Sequence, residues 1–382
     1  MCEWKSAIDQ SRGCAVTAEP DSPLCLFHSE QKTIDQVDRF RAALAAKLEA
    51  ARPSNARLDF RGWDFPATAP LNLGRFRTNG LTMPLDLGET HFHGDLDLSE
   101  LSLRDVLLEN AKIEGAVRLR AALVDGDLVL NGAELKHLSL RSAVIEGDAD
   151  FTGLKVLDSG DFLGTTFKGV AMFASSRFMN NGAVFTGTKA VGLDLGPDSP
   201  STAWRRSKRS KGIEIAKGER SFWQFALGTY SSLGDRERAD AAHFYERSAS
   251  YADAVVEAKG RSRPAYFRAR LDQYIAYCFW NGLIGYGTSV SRALFGWLVA
   301  AIGFACLYAA LPAVFGRPDP HIFTWANWRE ALFMSMRVFV KIGTASIATV
   351  PPAGQVLLCS YAAASTVLIT VFVAVVTRKV MR

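Results

Sequence analysis

Between about residues 56 and 190, large apolar residues recur every fifth position, a period that belongs to neither a helix nor a strand. Leu98, Leu103, Leu108 and Ile113 form one run, followed by Leu123 and Leu128, then by Leu130, Leu135, Leu140 and Ile145. The series resumes at Phe162 and Phe167 and at Phe173 and Phe178, and the pairs Phe60/Phe65 and Leu87/Phe92 precede it. Two places before many of these stands a second apolar or small residue, among them Leu96, Leu101, Val106, Ala111, Ala133, Leu138 and Ala143. A period of five predicts a four-sided solenoid over 56–195. Each five-residue segment makes one face, four segments make a coil, and every fifth side chain enters a stacked core.

The flanks carry helical spacing instead. Ile34, Val37, Phe40, Leu44 and Leu48 lie three to four apart ahead of Pro53, which predicts a helix within 33–55. After the solenoid, the turn-rich GPDSPSTAW at 196–204 opens a linker over 196–265. It holds a basic run (Arg205, Arg206, Lys208, Arg209, Lys211), read as solvated or touching anionic lipid, and 213–260 read as helices ending at Gly234 and Gly260. Over 266–290, Phe267, Leu271, Tyr274, Cys278 and Phe279 share one face, which predicts an amphipathic helix lying on a membrane surface.

Residues 293–315 and 356–377 are free of charged side chains. A span needs about 20 apolar residues to cross ~30 Å of hydrocarbon, so 291–382 reads as a two-span membrane module. Lys259, Arg261, Arg263, Arg268, Arg270 and Arg292 precede the first span, and Arg378, Lys379 and Arg382 follow the second. By the positive-inside rule both termini are expected in the cytoplasm, with the protein multi-pass in the inner (plasma) membrane.

Composition sharpens this division. With 48% hydrophobic and 22% charged residues, wholesale disorder is excluded. The mean hydropathy of +0.05 averages a polar body and an apolar end. A net charge of +5 is too small for a protein that coats nucleic acid. Between Asp86 and Asp194 there are 17 acidic and 10 basic residues, read as a solvated charged solenoid surface that takes no nucleic acid partner. Phosphate-loop, zinc-protease and nucleophile-elbow signatures are missing, so no enzymatic activity is expected. Asp148 and Asp150 read as solvated acids, and His91 and His93 as surface histidines of one strand. The N-terminus lacks the apolar core of a signal peptide, so the body is expected to stay in a reducing compartment.

Cysteine usage splits in two. Cys278, Cys306 and Cys359 lie in apolar C-terminal sequence, whereas Cys2, Cys14, Cys25 and His28 form C-x11-C-x10-C-x2-H within the polar segment 1–32. Three thiolates and an imidazole suit a closed tetrahedral Zn2+ site. About thirty residues bury too little surface to fold alone, so a structural metal would account for their order.

The five-residue run resembles the pentapeptide-repeat family, a right-handed quadrilateral β-helix. Between the spans, NWREALFMSMRVFVKIGTASIATVPP places a helix at about 327–340 before IGTAS, Pro351 and Pro352. This order of span, re-entrant helix, glycine turn and span is similar to the two-transmembrane ion-channel family, with Phe333, Ser335, Phe339, Ile342 and Gly343 matching its frame. The resemblance implies a pore helix carrying Phe333, Ser335, Arg337 and Phe339, and a filter at Lys341, Ile342, Gly343, Thr344, Ala345 and Ser346. It also implies a second span lining the conduit with Ala363, Ser365, Thr366 and Thr370. Lys341–Ala345 stands where the potassium-channel pattern has Thr-Val-Gly-Tyr-Gly, so alternating glycines are lost and low or unknown selectivity is implied.

With Tyr230–Tyr245 and Gly285–Arg292, the whole looks like bacterial pentapeptide-repeat proteins fused to a two-helix channel module. The expected fold is therefore multi-domain: a β-helix solenoid, an α-helical linker and a two-span pore module. The expected function is an oligomeric, preferably tetrameric, channel for inorganic ions in a lipid bilayer, answering an unidentified protein or ligand signal. The alternative is a membrane-anchored protein-binding scaffold without conductance.

Overall fold

The computed structural model describes residues 2–7, 13–19, 22–30, 32–50, 57–73, 84–196, 213–215, 218–275, 290–315, 325–340 and 350–380. The chain divides into two compact units, Met1–Glu246 and Arg247–Arg382.

The first unit is built on a parallel β-solenoid. Leu58, Leu85, Val106, Leu128, Ala149, Ala171 and Leu193 stack in register along one face. From Leu85 onward each step is 21 or 22 residues. One coil contains the short strands Leu85–Asp86, His91–Phe92, Leu96–Asp97 and Ser102–Leu103 before the next copy begins at Val106. Four five-residue faces account for twenty residues, and the surplus is absorbed at a corner. Ile113 and Ala116 pair with Leu135 and His137, so three steps on one coil oppose two on the next. Slips in the sequence period come from such bulges; a second lies at another corner, where Phe167 and Val170 pair with Ala190 and Gly192. The first bulge also moves one expected core residue: Val124 is fully buried and Leu123 only half-buried, because the extra residue enters before Leu119.

The core is a column of leucines and phenylalanines. Phe151 stacks on Phe173 at 4.8 Å, Phe162 on Phe185 at 4.4 Å, and Phe65 on Phe92 at 4.3 Å. All six are under 2% exposed, and burying such a side chain contributes about 1.5–3 kcal/mol.

Much of the acidic surplus proves to be backbone capping. Asp59, Asp86, Asp97, Asp150, Asp161 and Asp194 each accept the N–H of the residue two positions on. A second file reaches across coils: Asp95, Asp105, Asp127 and Asp148 accept the amides of Ala116, Asp127, Asp148 and Val170. Asp148 and Asp150, read from sequence as merely solvated, are thus structural acceptors.

The second file needs glycine beside it. A Cβ on Gly147 would lie 2.5 Å from Asp127 Oδ1 and 2.6 Å from the Gly126 carbonyl. Gly147→Ala is therefore expected to destabilise the solenoid by about 2 kcal/mol, read as a lower urea midpoint at unchanged slope.

Both ends of the solenoid are covered. Helix α1 (Ile34–Ala50) buries Phe40, Leu44 and Leu48, and Phe40 meets Trp63 and Phe65 edge-on. Ile34, expected on the apolar face, stands exposed in the first turn. At the far end, helix α2 (Glu219–Ser232) packs Phe222 and Phe225 on Phe185. Helix α3 (Arg236–Arg261) stacks Tyr245 on Trp223 at 4.6 Å. A solenoid with open ends would present unpaired edges and a bare core, which is why such caps are needed. Ile213–Ile215, expected as the start of a helix, instead adds a strand parallel to Ser176–Phe178.

The second unit is helical: α4 (Arg263–Ile275), α5 (Val290–Ala310), α6 (Trp325–Val340) and α7 (Pro352–Val380). The apolar stretch 293–315 is not one continuous α-helix. It breaks at Pro312, which lacks an amide proton, into a 3-10 turn over Pro312–Phe315. Among the described residues, Pro352–Ala374 in α7 is the one helix long and apolar enough to cross a membrane. Leu294–Ala310 is apolar but shorter. Helices α5, α6 and α7 share a core in which Phe304 stacks on Tyr361 at 3.9 Å.

Candidate metal centre

The N-terminal segment has little regular structure, and its order comes from side chains that converge. Sγ of Cys2, Cys14 and Cys25 and a ring nitrogen of His28 all lie within 4.8 Å of one another. Cys14 Sγ is 3.7 Å from Cys25 Sγ, Cys2 Sγ is 3.6 Å from His28 Nδ1, and Cys25 Sγ is 3.1 Å from the same nitrogen. With Zn–S bonds of about 2.3 Å, a tetrahedron has S–S edges of about 3.8 Å, close to the Cys14–Cys25 separation. Backbone amides donate to two of the sulfurs: Cys25 N–H to Cys2 Sγ at 3.2 Å and Val16 N–H to Cys14 Sγ at 3.4 Å. Such bonds favour the thiolate form.

Burial sets the protonation of the uncharged cluster. It pushes the Cys25 thiol up to about 12 and the His28 imidazole down to about 4. At Cys2 burial also opposes charge, but amide bonds from Trp4 and Cys25 outweigh it and hold the thiol below its usual range. A divalent cation held here would offset the cost at Cys25, since such an ion takes a thiolate and a neutral imidazole as ligands.

The cluster is fastened to the first coil. Trp4 stacks on His28 at 4.5 Å, and Gly62, at φ +72°, leaves room for that indole. Phe27 stacks on Trp63 at 4.1 Å and its carbonyl accepts the Asp64 amide. Lys32 Nζ reaches Asp64 Oδ1 at 3.0 Å, both side chains almost fully buried. Beside this, the Arg61 guanidinium spans three acids on two successive coils: Asp86 (3.2 Å), Glu89 (3.2 Å) and Glu109 (3.1 Å). Ser6 and the Ala7 amide also bond Glu89. The N-terminal segment is therefore a plug on the open end of the solenoid, tied by a Cys/His cluster, an aromatic stack and buried ion pairs.

In the helical unit, Ser335 is fully buried, donating to the Ala301 carbonyl at 2.7 Å and meeting the Tyr361 hydroxyl at 2.9 Å. Phe333 is exposed, with the Arg337 guanidinium 5.7 Å from its ring centre. Ser365 is buried; Thr366 is half-buried; Ala363 and Thr370 are exposed. Ser365 and Thr366 both donate to the Ala362 carbonyl, and Thr370 to that of Thr366. Phe339 lies in α6, its side chain outside the described set. Lys341, Ile342, Gly343, Thr344, Ala345 and Ser346 lie outside the described residues, as do the basic run 205–211 and Cys278 with Phe279.

Sequence reasoning passed over Arg61, whose three partners are 25 to 48 positions away, and the grouping of His91 and His93 with Asp64. The available signal was the His-x-His spacing on a strand, which puts both rings on one face. No family model, curated protein or solved structure matches the chain.

Proposed function

We propose that this chain is a membrane-anchored protein whose C-terminal helices assemble, copy against copy, into an ion-conducting pore of low selectivity. In this reading the body is a pentapeptide-repeat solenoid, right-handed and quadrilateral, on the cytoplasmic side of the inner membrane. Its N-terminal plug is held by structural Zn2+ on Cys2, Cys14, Cys25 and His28.

The observation that carries the pore is the setting of α6. This 16-residue helix is too short to span, yet it packs on both α5 and α7 through the buried Ser335–Tyr361–Ala301 bonds. At 1.5 Å per residue the apolar part of α5, Leu294–Ala310, reaches about 25 Å, somewhat short of the ~30 Å hydrocarbon thickness. Its outer face (Leu294, Phe295, Leu298, Val299, Ile302) and that of α7 (Val356, Val367, Val373) are exposed and apolar, as lipid-facing surfaces are. A short helix held between two apolar ones is the arrangement that a re-entrant pore helix would have. Helix α4 agrees, leaving Phe267, Leu271 and Tyr274 exposed for the interface.

The test is recording from purified full-length protein in planar bilayers, four copies per particle being the expected assembly. Stepwise currents that change size when Ser335→Leu is introduced support the pore. Currents no larger than those of protein-free bilayers, across voltages and salts, overturn it and leave the anchored scaffold. The scaffold has its own support in Leu157 and Met179, exposed on successive coils beside the paired Val156 and Phe178.

A further inference from the structure

A second cluster of metal-binding side chains sits on the flank of the first coils. Strands Asp64–Phe65, His91–Phe92 and Lys112–Arg118 are neighbours in parallel register, with Asp64 opposite His91 and His91 opposite Lys112. Phe92 is buried in the core, so strand alternation turns His91 and His93 to the same outer face, their ring centres 4.0 Å apart. A carboxylate stands on either side of the pair. Asp64 Oδ2, from the coil before, lies 3.3 Å from His91 Nδ1 and 3.1 Å from His93 Nε2. Glu114 Oε1, from the coil after, lies 3.1 Å from His91 Nε2 and 3.4 Å from His93 Nδ1.

Two of these four contacts are hydrogen bonds, His91 Nε2 with Glu114 and His93 Nε2 with Asp64, and one N–H on each neutral ring serves both. A cation among His91 Nδ1, His93 Nε2 and Asp64 Oδ2 would replace the second bond and shift the His93 proton to Nδ1, the nitrogen facing Glu114. The separations are those of a coordination shell: metal bonds of about 2.1 Å give ligand–ligand edges of about 3.0–3.4 Å in octahedral and tetrahedral geometry. Glu114 would then be the outer carboxylate that fixes the tautomer of both metal-binding histidines.

We propose that Asp64, His91 and His93 form a second cation site, oriented by Glu114. Two imidazoles and one carboxylate select a divalent transition ion such as Zn2+, Fe2+ or Co2+ over Mg2+ or Ca2+. The rings are 20% and 29% exposed, so water completes the shell on the open side. Lys32 holds the other Asp64 oxygen and offsets its charge. This site is therefore weaker than the thiolate cluster and exchanges its ion more readily.

The test counts ions on the full-length protein after equilibration with Zn2+ and gel filtration. The paired variant His91→Gln/His93→Gln is expected to carry one ion fewer per chain than the unaltered protein. Its Co2+ form should keep any sulfur-to-metal absorption, which belongs to the cysteines alone. Glu114→Gln, at an exposed position, is expected to weaken binding at this site about 10- to 100-fold without abolishing it. Equal ion content in the paired variant and the unaltered protein overturns the proposal. The cluster is then two imidazoles hydrogen-bonded to flanking carboxylates. Because the readout is a difference between two proteins, it stands whether or not the cysteine cluster binds zinc.

Discussion

Under the proposed zinc assignment, replacing Cys25 with serine is expected to remove one zinc ion per chain and to release the first thirty residues from the solenoid, leaving the coils folded. Cys25 is the centre of the cluster: wholly buried, within 3.7 Å of Cys14 Sγ and 3.1 Å of His28 Nδ1, and donor of the amide bond to Cys2. A hydroxyl there is a harder and less acidic ligand, and its bond to zinc would be shorter than the sulfur cage allows. Structural zinc contributes on the order of 10–16 kcal/mol in small zinc peptides at neutral pH. The loss here is smaller, because Phe27 on Trp63 and Lys32 on Asp64 still hold the segment. The check is metal content together with hydrogen exchange: faster exchange over residues 2–30, unchanged exchange over 84–196, and the same pattern when the unaltered protein is treated with a strong chelator. Unaltered metal content and exchange in the variant would show the cysteines to be a buried thiol cluster instead.

The second large effect lies next to it. Arg61→Leu is expected to destabilise the first unit by about 3–5 kcal/mol, the usual loss when one partner of a buried ion network is removed. Asp86 is wholly buried, and among the described residues Arg57 at 2.5 Å is the one cation it keeps without Arg61, its Gly88 amide bond being local. Glu89 and Glu109 lose their shared cation as well.

The pH dependence has a definite sign. At Glu89 burial works against the charge, but bonds from Ser6, the Ala7 amide and Arg61 outweigh it and hold the carboxyl below its usual range. A depressed carboxyl stabilises the fold above its unfolded value of about 4.3 and loses that contribution as pH falls toward the folded value. The difference between Arg61→Leu and the unaltered protein in urea should therefore be largest at pH 7 and shrink below about pH 4. A difference that stays constant over that range would mean the arginine acts by packing alone.

Legibility from sequence followed the range of each interaction. The five-residue period was readable because a core side chain on every face is dictated coil by coil, and Leu98, Leu103 and Leu108 needed no distant partner to be recognised. The exchange of Leu123 for Val124 was not, because the position of the extra residue depends on glycine and aspartate meeting across coils, as Gly115 meets Asp95. C-x11-C-x10-C-x2-H was legible since thiols in a polar segment stand out against their surroundings. His91 and His93 were visible, but their meaning was not: Asp64 lies 27 residues before His91, a longer step than the 21 or 22 of the later coils. Register is a property of the stacked coils.

Sequence by itself determined that the chain holds a five-residue solenoid, helical flanks and an apolar C-terminal end, because hydrophobic periodicity is a local consequence of which faces leave water. The tertiary structure decided which polar groups meet. Asp64, His91, His93 and Glu114 converge, Arg61 gathers Asp86, Glu89 and Glu109, and corner aspartates cap neighbouring amides. Such meetings require charges and amides from different coils to share a few ångströms, and only stacking in a particular register puts them there.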